Sequence, residues 1–201
     1  KPVRSLQAVL ADPLVALAVG PGIGGLDGQE DNDLLELISS VKFPVVLDAD
    51  GLNLVARLRP GQVLGENFLL TPHPGEMARL LPGIEGSRPD LARAAVEAYG
   101  AAVLFKGART LVTGTGEALH YNTTGTPGMA TGGQGDLLSG LLAALLAAGL
   151  RPVDAGRAGA WLAGRAAELA LAEGGQSEES LVPSGVAEWL GSAFRALRGG
   201  N

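Results

Sequence analysis

The sequence predicts an α/β protein with a doubly wound, mostly parallel sheet, helices on both faces and an added β-hairpin. Short apolar runs that end in glycine or a polar residue alternate with segments of helical spacing. A hairpin-like pair of runs follows the fourth apolar run, and the last third of the chain has helical spacing throughout. In this order the crossovers between parallel strands are right-handed and carry helices on the sheet faces.

The first three strands are predicted at residues 14–20, 44–48 and 67–71, which are short apolar or β-branched runs. Such runs are typical of parallel strands that are buried on both faces. Two stripes of apolar residues at helical spacing separate them: Leu34, Leu35, Leu37, Ile38 and Val41, then Leu52, Val55, Ala56 and Leu58. Each stripe predicts a crossover helix, and Asp50 is the expected N-cap of the second.

The second half of the chain adds a fourth strand, the hairpin and three long helices. A helix at 89–99 leads into a strand at 102–106, and Gly114-Thr115-Gly116 separates the hairpin runs 109–113 and 117–121. Helices are predicted at 136–148, 153–172 and 185–197, the last with Ser184 as N-cap. Residues 174–180 join two helices, so we expect one domain over residues 1–201.

Composition excludes several classes of function. The chain has 201 residues, of which 46% are hydrophobic and 18% charged, enough apolar material for a core. Its 15 Lys and Arg against 21 Asp and Glu give a net charge of −6, which argues against binding nucleic acid or membranes by charge. It has no cysteine, which excludes thiol catalysis, and no apolar run long enough for a bilayer. We expect a cytoplasmic protein that holds any phosphate locally.

Glycine is over-represented, with 31 residues, and many lie after predicted strands. The loop Gly20-Pro21-Gly22-Ile23-Gly24-Gly25 formally matches G-x-G-x-x-G. A proline inside the turn, a helix that is expected only near Asp31, and a strand-end acid 28 positions past Gly20 argue against a dinucleotide fingerprint. We interpret the loop as backbone that a ligand can approach, with a purely structural turn as the alternative.

Polar residues follow the second and third predicted strands. Asp48 and Asp50 could hold hydrated Mg²⁺, although a cap is the favoured role for Asp50. His73 stands between two prolines at a strand-to-helix junction. Since rigid loops at strand ends carry binding residues, we interpret His73 as a ligand contact, with a structural histidine as an equal alternative.

The strongest signal is the glycine run that precedes the helix at 136–148. Gly132, Gly133 and Gly135 leave backbone N–H groups free to face an anion, and the helix start adds its positive dipole end. The run is not a Walker A loop, because Asp136 stands where Lys-Ser/Thr would follow. We predict that Asp136 takes a proton from an attacking hydroxyl. An N-cap role is the alternative.

These segments resemble the ADP/ATP-dependent NAD(P)H-hydrate dehydratases of the ribokinase-like superfamily. The matching blocks are, in chain order, VVLDADGLNLVA, LLTPHPGEMARLL, VLFKGARTLV and TPGMATGGQGDLLSG. The resemblance implies a ribokinase-like fold and a repair reaction on the S-epimer of NAD(P)H hydrate, NAD(P)HX. The ring hydroxyl is phosphorylated from ADP or ATP, and loss of phosphate regenerates NAD(P)H. Mg²⁺ is inferred from the nucleotide.

The resemblance also assigns roles to residues, with Asp136 as the catalytic base and the metal ligands left open. The implied contacts to ADP or ATP are Lys106, Gly107, Ala108, Arg109, Thr110 and Gly135. The implied contacts to NAD(P)HX are Gly22, Gly24, His73 and Asp136. The anion hole would comprise Gly132, Gly133, Gln134 and Gly135.

The chain departs from the family pattern at three places. Thr126 stands where asparagine is frequent, and Gly51 stands where alanine is common. Family members usually begin with several dozen more residues, so we expect a domain without that first strand, loop and helix.

The resemblance further implies a homo-oligomer, a tetramer or larger, and an association with an NAD(P)HX epimerase.

Two alternatives remain open at this stage. One is a ribokinase-like kinase of a small vitamin-precursor alcohol, of the hydroxymethylpyrimidine or hydroxyethylthiazole type. Such kinases share the glycine-aspartate loop but need not have the block TPHPGE. The other is a non-catalytic remnant that binds nucleotide without turnover.

Overall fold

The computed structural model describes residues 15–24, 28–58 and 63–199. Within them lies a six-stranded sheet whose strands follow chain order, with β1 to β4 parallel and β5 and β6 antiparallel. The strands are β1 (Leu17–Val19), β2 (Val45–Leu47), β3 (Phe68–Leu70), β4 (Ala102–Phe105), β5 (Leu111–Thr113) and β6 (His120–Tyr121). The predicted mostly parallel sheet with an added hairpin is confirmed.

Helices cover both faces of this sheet, as predicted. The first group is α1 (Gly28–Ser40), α2 (Ala49–Leu58), α3 (Pro74–Leu80) and α4 (Arg88–Tyr99). The second is α5 (Gln134–Ala147), α6 (Pro152–Ala172) and α7 (Pro183–Leu197), preceded by the 3₁₀ helix Pro127–Met129. No helix in the described ranges is long and apolar enough to cross a membrane.

Alternating strand residues divide the interior into two cores. Phe68 and Leu70 of β3 pack in a core with residues of α1 to α4, whereas Leu69 packs in a second core with residues of α5 to α7. All three are essentially inaccessible to solvent. This period-two division explains why the parallel strands have apolar residues at every position.

Two predicted helix caps are wrong. Helix α2 begins at Ala49, so Asp50 lies inside its first turn and does not cap it. Helix α7 begins at Pro183 with Val182 as N-cap, which places Ser184 inside the first turn as well. A proline is well suited to the first helical position, because the missing N–H would be unpaired there. Residue 14 of the first predicted strand and Gly25 of the glycine loop lie outside the described residues.

Candidate active site

The carboxyl ends of β1 to β4 open onto one edge of the sheet, where four loops and the start of α5 meet. The four strands are parallel and in register, so the residues that follow them lie side by side. Ligands of open α/β sheets bind in the crevice at this edge. The loop residues that the sequence singles out therefore belong to one region of the molecule.

The start of α5 forms an open cradle of backbone amides, which comprises residues Gly132–Gly135. Its N-cap is Gly133, whose φ of +85° favours glycine, and no side chain in the described ranges caps the helix. The first N–H groups of a helix have no partner within it, so those of this turn are available to an anion. No atom of the described residues lies within 4 Å of a Cβ built at Gly132, so within this part of the chain the approach to the cradle is open.

Asp136 lies in the first turn of α5 and is exposed. The alternative role for Asp136, an N-cap, is wrong, because Gly133 occupies that position. No described residue forms a hydrogen bond or ion pair with the Asp136 side chain. Its carboxylate is therefore free to accept a proton from a bound ligand.

Beneath the cradle lies a cluster of one ammonium group, two buried carboxylates and one buried hydroxyl. We call it the charge cluster, and its members are Lys106, Asp48, Glu76 and Ser139. The Lys106 Nζ lies 2.5 Å from Asp48 Oδ1 and 3.6 Å from Glu76 Oε2. Ser139 of α5 donates a hydrogen bond of 2.9 Å to Asp48 Oδ2. A Cβ at Gly135 would lie 3.4 Å from that same Oδ2 and 3.8 Å from Lys106 Nζ. Glycine at 135 thus lets the cradle lie directly on the cluster.

This arrangement adds a role for Lys106 that the sequence did not indicate. Asp48 and Glu76 are 2% and 5% exposed, and a buried carboxylate without a partner is strongly destabilising. The Lys106 ammonium contacts both carboxylates, with its side chain only 20% exposed. Lys106 therefore compensates two buried charges. Its predicted contact with ADP or ATP stays a prediction.

Any Mg²⁺ ion held by the described residues would be bound together with the phosphates of a nucleotide. Among the residues that the structure describes, no group of three or more His, Cys, Asp or Glu could hold a metal. Mg²⁺ is usually bound by one or two carboxylates together with the phosphates of the substrate. The described residues are compatible with that mode and contain no all-protein metal site.

In the glycine loop after β1, one glycine is needed for backbone packing and two others have free space beside them. A Cβ at Gly20 would lie 2.7 Å from the carbonyl carbon of Asp48, so this glycine is required by the close approach of two backbones. Gly22 and Gly24 both have φ of +72°, and no described residue lies within 4 Å of a Cβ built at either position. The Gly24 N–H donates a hydrogen bond of 3.1 Å to Asp50 Oδ2. Space for a ligand is thus present at Gly22 and Gly24 but not at Gly20.

His73 is the N-cap of α3, a role that the sequence analysis missed. Its Nδ1 accepts a hydrogen bond of 2.9 Å from the Gly75 N–H, and its own N–H donates one of 2.8 Å to Glu76 Oε2. These reciprocal bonds form a capping box, for which the usual Ser or Thr signal is absent. The side chain remains 50% exposed, so the predicted contact to NAD(P)HX is sterically open.

Arg88 at the start of α4 holds the loop 106–110. Its guanidinium donates hydrogen bonds of 2.6 Å to the Ala108 carbonyl and 3.1 Å to the Phe105 carbonyl. It also lies 5.0 Å from the centroid of the Phe105 ring. Within the loop, Thr110 Oγ1 donates to the Gly107 carbonyl over 3.1 Å. No sequence pattern marked Arg88, because its partners are backbone groups about 20 residues away.

Arg109 and Gln134 both have unusual surroundings. Arg109 adopts a φ of +53°, which is rare for a residue other than glycine and is associated with functional loops. Both polar side-chain atoms of Gln134 are shielded from solvent and have no hydrogen-bond partner among the residues that the structure describes. Such atoms usually have a partner in protein or water. A bound ligand or water would complete the hydrogen bonding of Gln134 in the predicted anion hole.

A mostly parallel sheet with helices on both faces, and with a glycine cradle and a free carboxylate at its carboxyl edge, defines an α/β protein with a candidate anion site. Residues 3–183 match the family model for NAD(P)H-hydrate dehydratase. The chain belongs to the NAD(P)H-hydrate dehydratase family.

Curated relatives share this region of sequence. The bifunctional NAD(P)H-hydrate repair enzyme Nnr of Moorella thermoacetica is 39% identical over 189 residues, which cover 87% of this chain and 35% of that protein. The ADP-dependent (S)-NAD(P)H-hydrate dehydratase of Neisseria meningitidis is 41% identical over 133 residues, covering 63% of this chain and 45% of the relative. The chain thus spans between about a third and a half of these relatives.

Solved structures confirm the ribokinase-like fold. A ribokinase-like superfamily protein of Enterococcus faecalis has a TM-score of 0.73 at 26% identity, over 90% of this chain and 63% of that one. The ADP/ATP-dependent NAD(P)H-hydrate dehydratase of Bacillus subtilis, co-crystallized with ATP and Mg²⁺, has a TM-score of 0.76 at 24% identity, over 90% and 64% of the respective chains.

Proposed function

We propose that this chain dehydrates the S-epimer of NAD(P)HX to NAD(P)H with ADP or ATP as phosphoryl donor. One observation carries the proposal: the cradle at Gly132–Gly135 lies on the charge cluster, and the partner-free carboxylate of Asp136 follows directly in the same turn. Family membership supports the substrate, and the Neisseria relative, an ADP-dependent dehydratase, supports ADP as donor.

Asp136 begins the reaction as general base. Its carboxylate takes the proton of the ring hydroxyl while the hydroxyl oxygen attacks the terminal phosphorus of the nucleotide. Charge on the transferred phosphoryl group is stabilised by the amides of the cradle, which are fixed before the reaction starts. Phosphoryl transfer depends mainly on positioning and charge, which suits a site formed largely by backbone groups.

The second half of the reaction breaks the bond between the ring carbon and the hydroxyl oxygen. The phosphate leaves with that oxygen, a proton leaves the neighbouring carbon, and the ring double bond of NAD(P)H is restored. The balance is NAD(P)HX plus ATP to NAD(P)H, ADP, phosphate and a proton, or AMP when ADP is the donor. Mg²⁺ bound to the nucleotide phosphates would neutralise part of their charge.

Oxygen labelling tests this sequence of steps. NADHX prepared in H₂¹⁸O carries the label in its ring hydroxyl, and the chain is then incubated with it and ADP in ordinary water. We expect reduced-nicotinamide absorbance to return and each phosphate released to contain one ¹⁸O atom. Unlabelled phosphate, or recovery without nucleotide, would contradict the mechanism. Turnover of hydroxymethylpyrimidine or hydroxyethylthiazole with ATP, and none of NADHX, would identify the alternative kinase.

Oligomeric state, location and partner proteins belong to the same proposal. We infer a homo-oligomer in the cytoplasm that acts together with an NAD(P)HX epimerase. The Moorella relative is a bifunctional repair enzyme, which supports a second repair activity close to this one. Size-exclusion chromatography with light scattering measures the oligomeric state directly.

A further inference from the structure

A groove between α2 and α3 lies outside the loops assigned above. Among the described residues Asn53, Ala56, Arg57 and Arg79 line it, and its volume is about 530 Å³. This volume falls within the range of about 300–1,000 Å³ typical of small-molecule sites. The three residues of α2 are spaced i, i+3 and i+4, which places them on one side of that helix.

Arg79 supplies the uncompensated positive charge of this groove. Its Nε donates a hydrogen bond of 2.7 Å to Asn53 Oδ1, a neutral partner, and no carboxylate in the described ranges pairs with the guanidinium. Arg57 differs, since it forms an ion pair of 2.8 Å with Asp31. A fixed guanidinium with free terminal N–H groups matches the geometry of a phosphate.

Hydrogen bonds connect Arg79 to the glycine loop after β1. Asn53, the partner of Arg79, donates from Nδ2 to Asp50 Oδ1 over 3.3 Å. Asp50 accepts the Gly24 N–H on its other oxygen. Three successive bonds thus join the groove to a loop predicted to contact NAD(P)HX.

The groove also approaches His73, the second predicted contact to that ligand. A Cβ built on Gly75 would lie 2.9 Å from His73 Cε1 and 3.9 Å from Arg79 Nη1. Arg79 therefore extends back along α3 toward the histidine that caps it. The groove is lined by α2 and α3, whereas loop 106–110, which is predicted to hold the adenine nucleotide, follows β4.

We propose that Arg79 binds a phosphate group of the nicotinamide dinucleotide whose ring lies at Gly22, Gly24 and His73. The proposal rests on the proposed function, because it presumes that dinucleotide as substrate. In a chain of net charge −6, a local cation favours the binding of a polyanionic ligand. The phosphate is either the bridging diphosphate, present in both cofactors, or the 2′-phosphate, present only in NADP(H).

Binding of NADH and NADPH to Arg79 variants tests this site. Both are stable products of the reaction, and nicotinamide fluorescence reports their affinity without turnover. We expect Arg79→Met to weaken binding by about tenfold or more, as for a lost charge-assisted hydrogen bond, and to reduce the salt dependence of binding.

Arg79→Lys keeps the charge and should retain much of the affinity. Arg93→Met, at an exposed arginine of α4, is the matched control.

The outcomes separate the two proposals. Equal weakening of NADH and NADPH by Arg79→Met identifies the diphosphate, and weakening of NADPH alone identifies the 2′-phosphate. If wild type binds both cofactors and Arg79→Met stays within twofold for both, or Arg93→Met weakens them equally, the Arg79 proposal is wrong. If wild type binds neither cofactor, the proposed function fails and the Arg79 site with it. Thermal denaturation of each variant verifies that it is folded.

Discussion

At the scale of residues, the site combines one free carboxylate with two that are neutralised. Asp136 is exposed without a partner, whereas Asp48 and Glu76 are buried against Lys106. Asp136 can therefore contact a ligand in the crevice, whereas Asp48 and Glu76 are occupied by their contacts with Lys106. The sequence indicated Asp136 by its position after the glycines, but it did not indicate that Asp48 is buried against Lys106.

Asp136→Asn should reduce the rate of NADHX repair by about 10²-fold or more, as expected when a general base is lost. Its midpoint of thermal unfolding should stay close to wild type, because the side chain has no partner among the described residues. Glu36→Gln, at an exposed carboxylate of α1, is the control and should keep full activity. A repair rate of Asp136→Asn within threefold of wild type would show that Asp136 is not the general base.

Gly20 and Gly22 should respond differently to substitution by alanine. At Gly20 the new Cβ would collide with the backbone of Asp48, so we expect a loss of several kcal/mol of stability. At Gly22 there is space, and only the left-handed backbone opposes alanine, at a cost of about 1–2 kcal/mol. Urea denaturation measures both changes. A larger loss at Gly22 than at Gly20 would contradict the structural role of Gly20.

At the scale of elements, helix α6 supports the loop that leads into the cradle. A Cβ at Gly164 would lie 2.6 Å from the carbonyl carbon of Thr124 and 2.8 Å from the Gly125 nitrogen. Thr126, two residues after Thr124, caps the 3₁₀ helix, because its Oγ1 accepts a hydrogen bond of 3.0 Å from the Gly128 N–H. Threonine can thus provide the cap at a position where the family often has asparagine.

Gly164→Ala should therefore destabilise the protein by about 1–3 kcal/mol, as for overpacking against backbone. Gly191→Ala is the matched change in α7, where a Cβ meets nothing within 4 Å. It should stabilise by about 0.5–1 kcal/mol, because alanine is the better helix former. The free energy of unfolding in urea separates the two variants, and a shift of the same sign in both would contradict the packing at Gly164.

The sequence predicted the elements well where periodicity decides them. Strand and helix positions follow from apolar spacing, and the hairpin from Gly114-Thr115-Gly116. Caps were predicted poorly, because they depend on where the backbone turns: α2 begins one residue before Asp50, and His73 caps α3 through an imidazole nitrogen. Arg88 and Arg79 were missed for a further reason. Their partners are distant in sequence, and only the fold brings them together.

At the scale of the whole molecule, ligand binding and folding are coupled. ADP or ATP at 100 times its dissociation constant should stabilise the native state by about 2.7 kcal/mol. For a chain of this length that corresponds to an increase of roughly 5–11 °C in the unfolding midpoint. Differential scanning fluorimetry with ADP, ATP and, as control, inorganic phosphate measures it. No shift at millimolar ADP or ATP would exclude the nucleotide site.

The hydrogen bond from Ser139 to Asp48 spans 91 positions of the chain. Closing so long a loop has a high entropic cost, and contacts of this kind slow folding. The parallel strands can pair before this bond forms, but the cradle reaches the charge cluster only when α5 docks. Capacity to bind nucleotide should thus be among the last properties gained during refolding, after most of the secondary structure is in place.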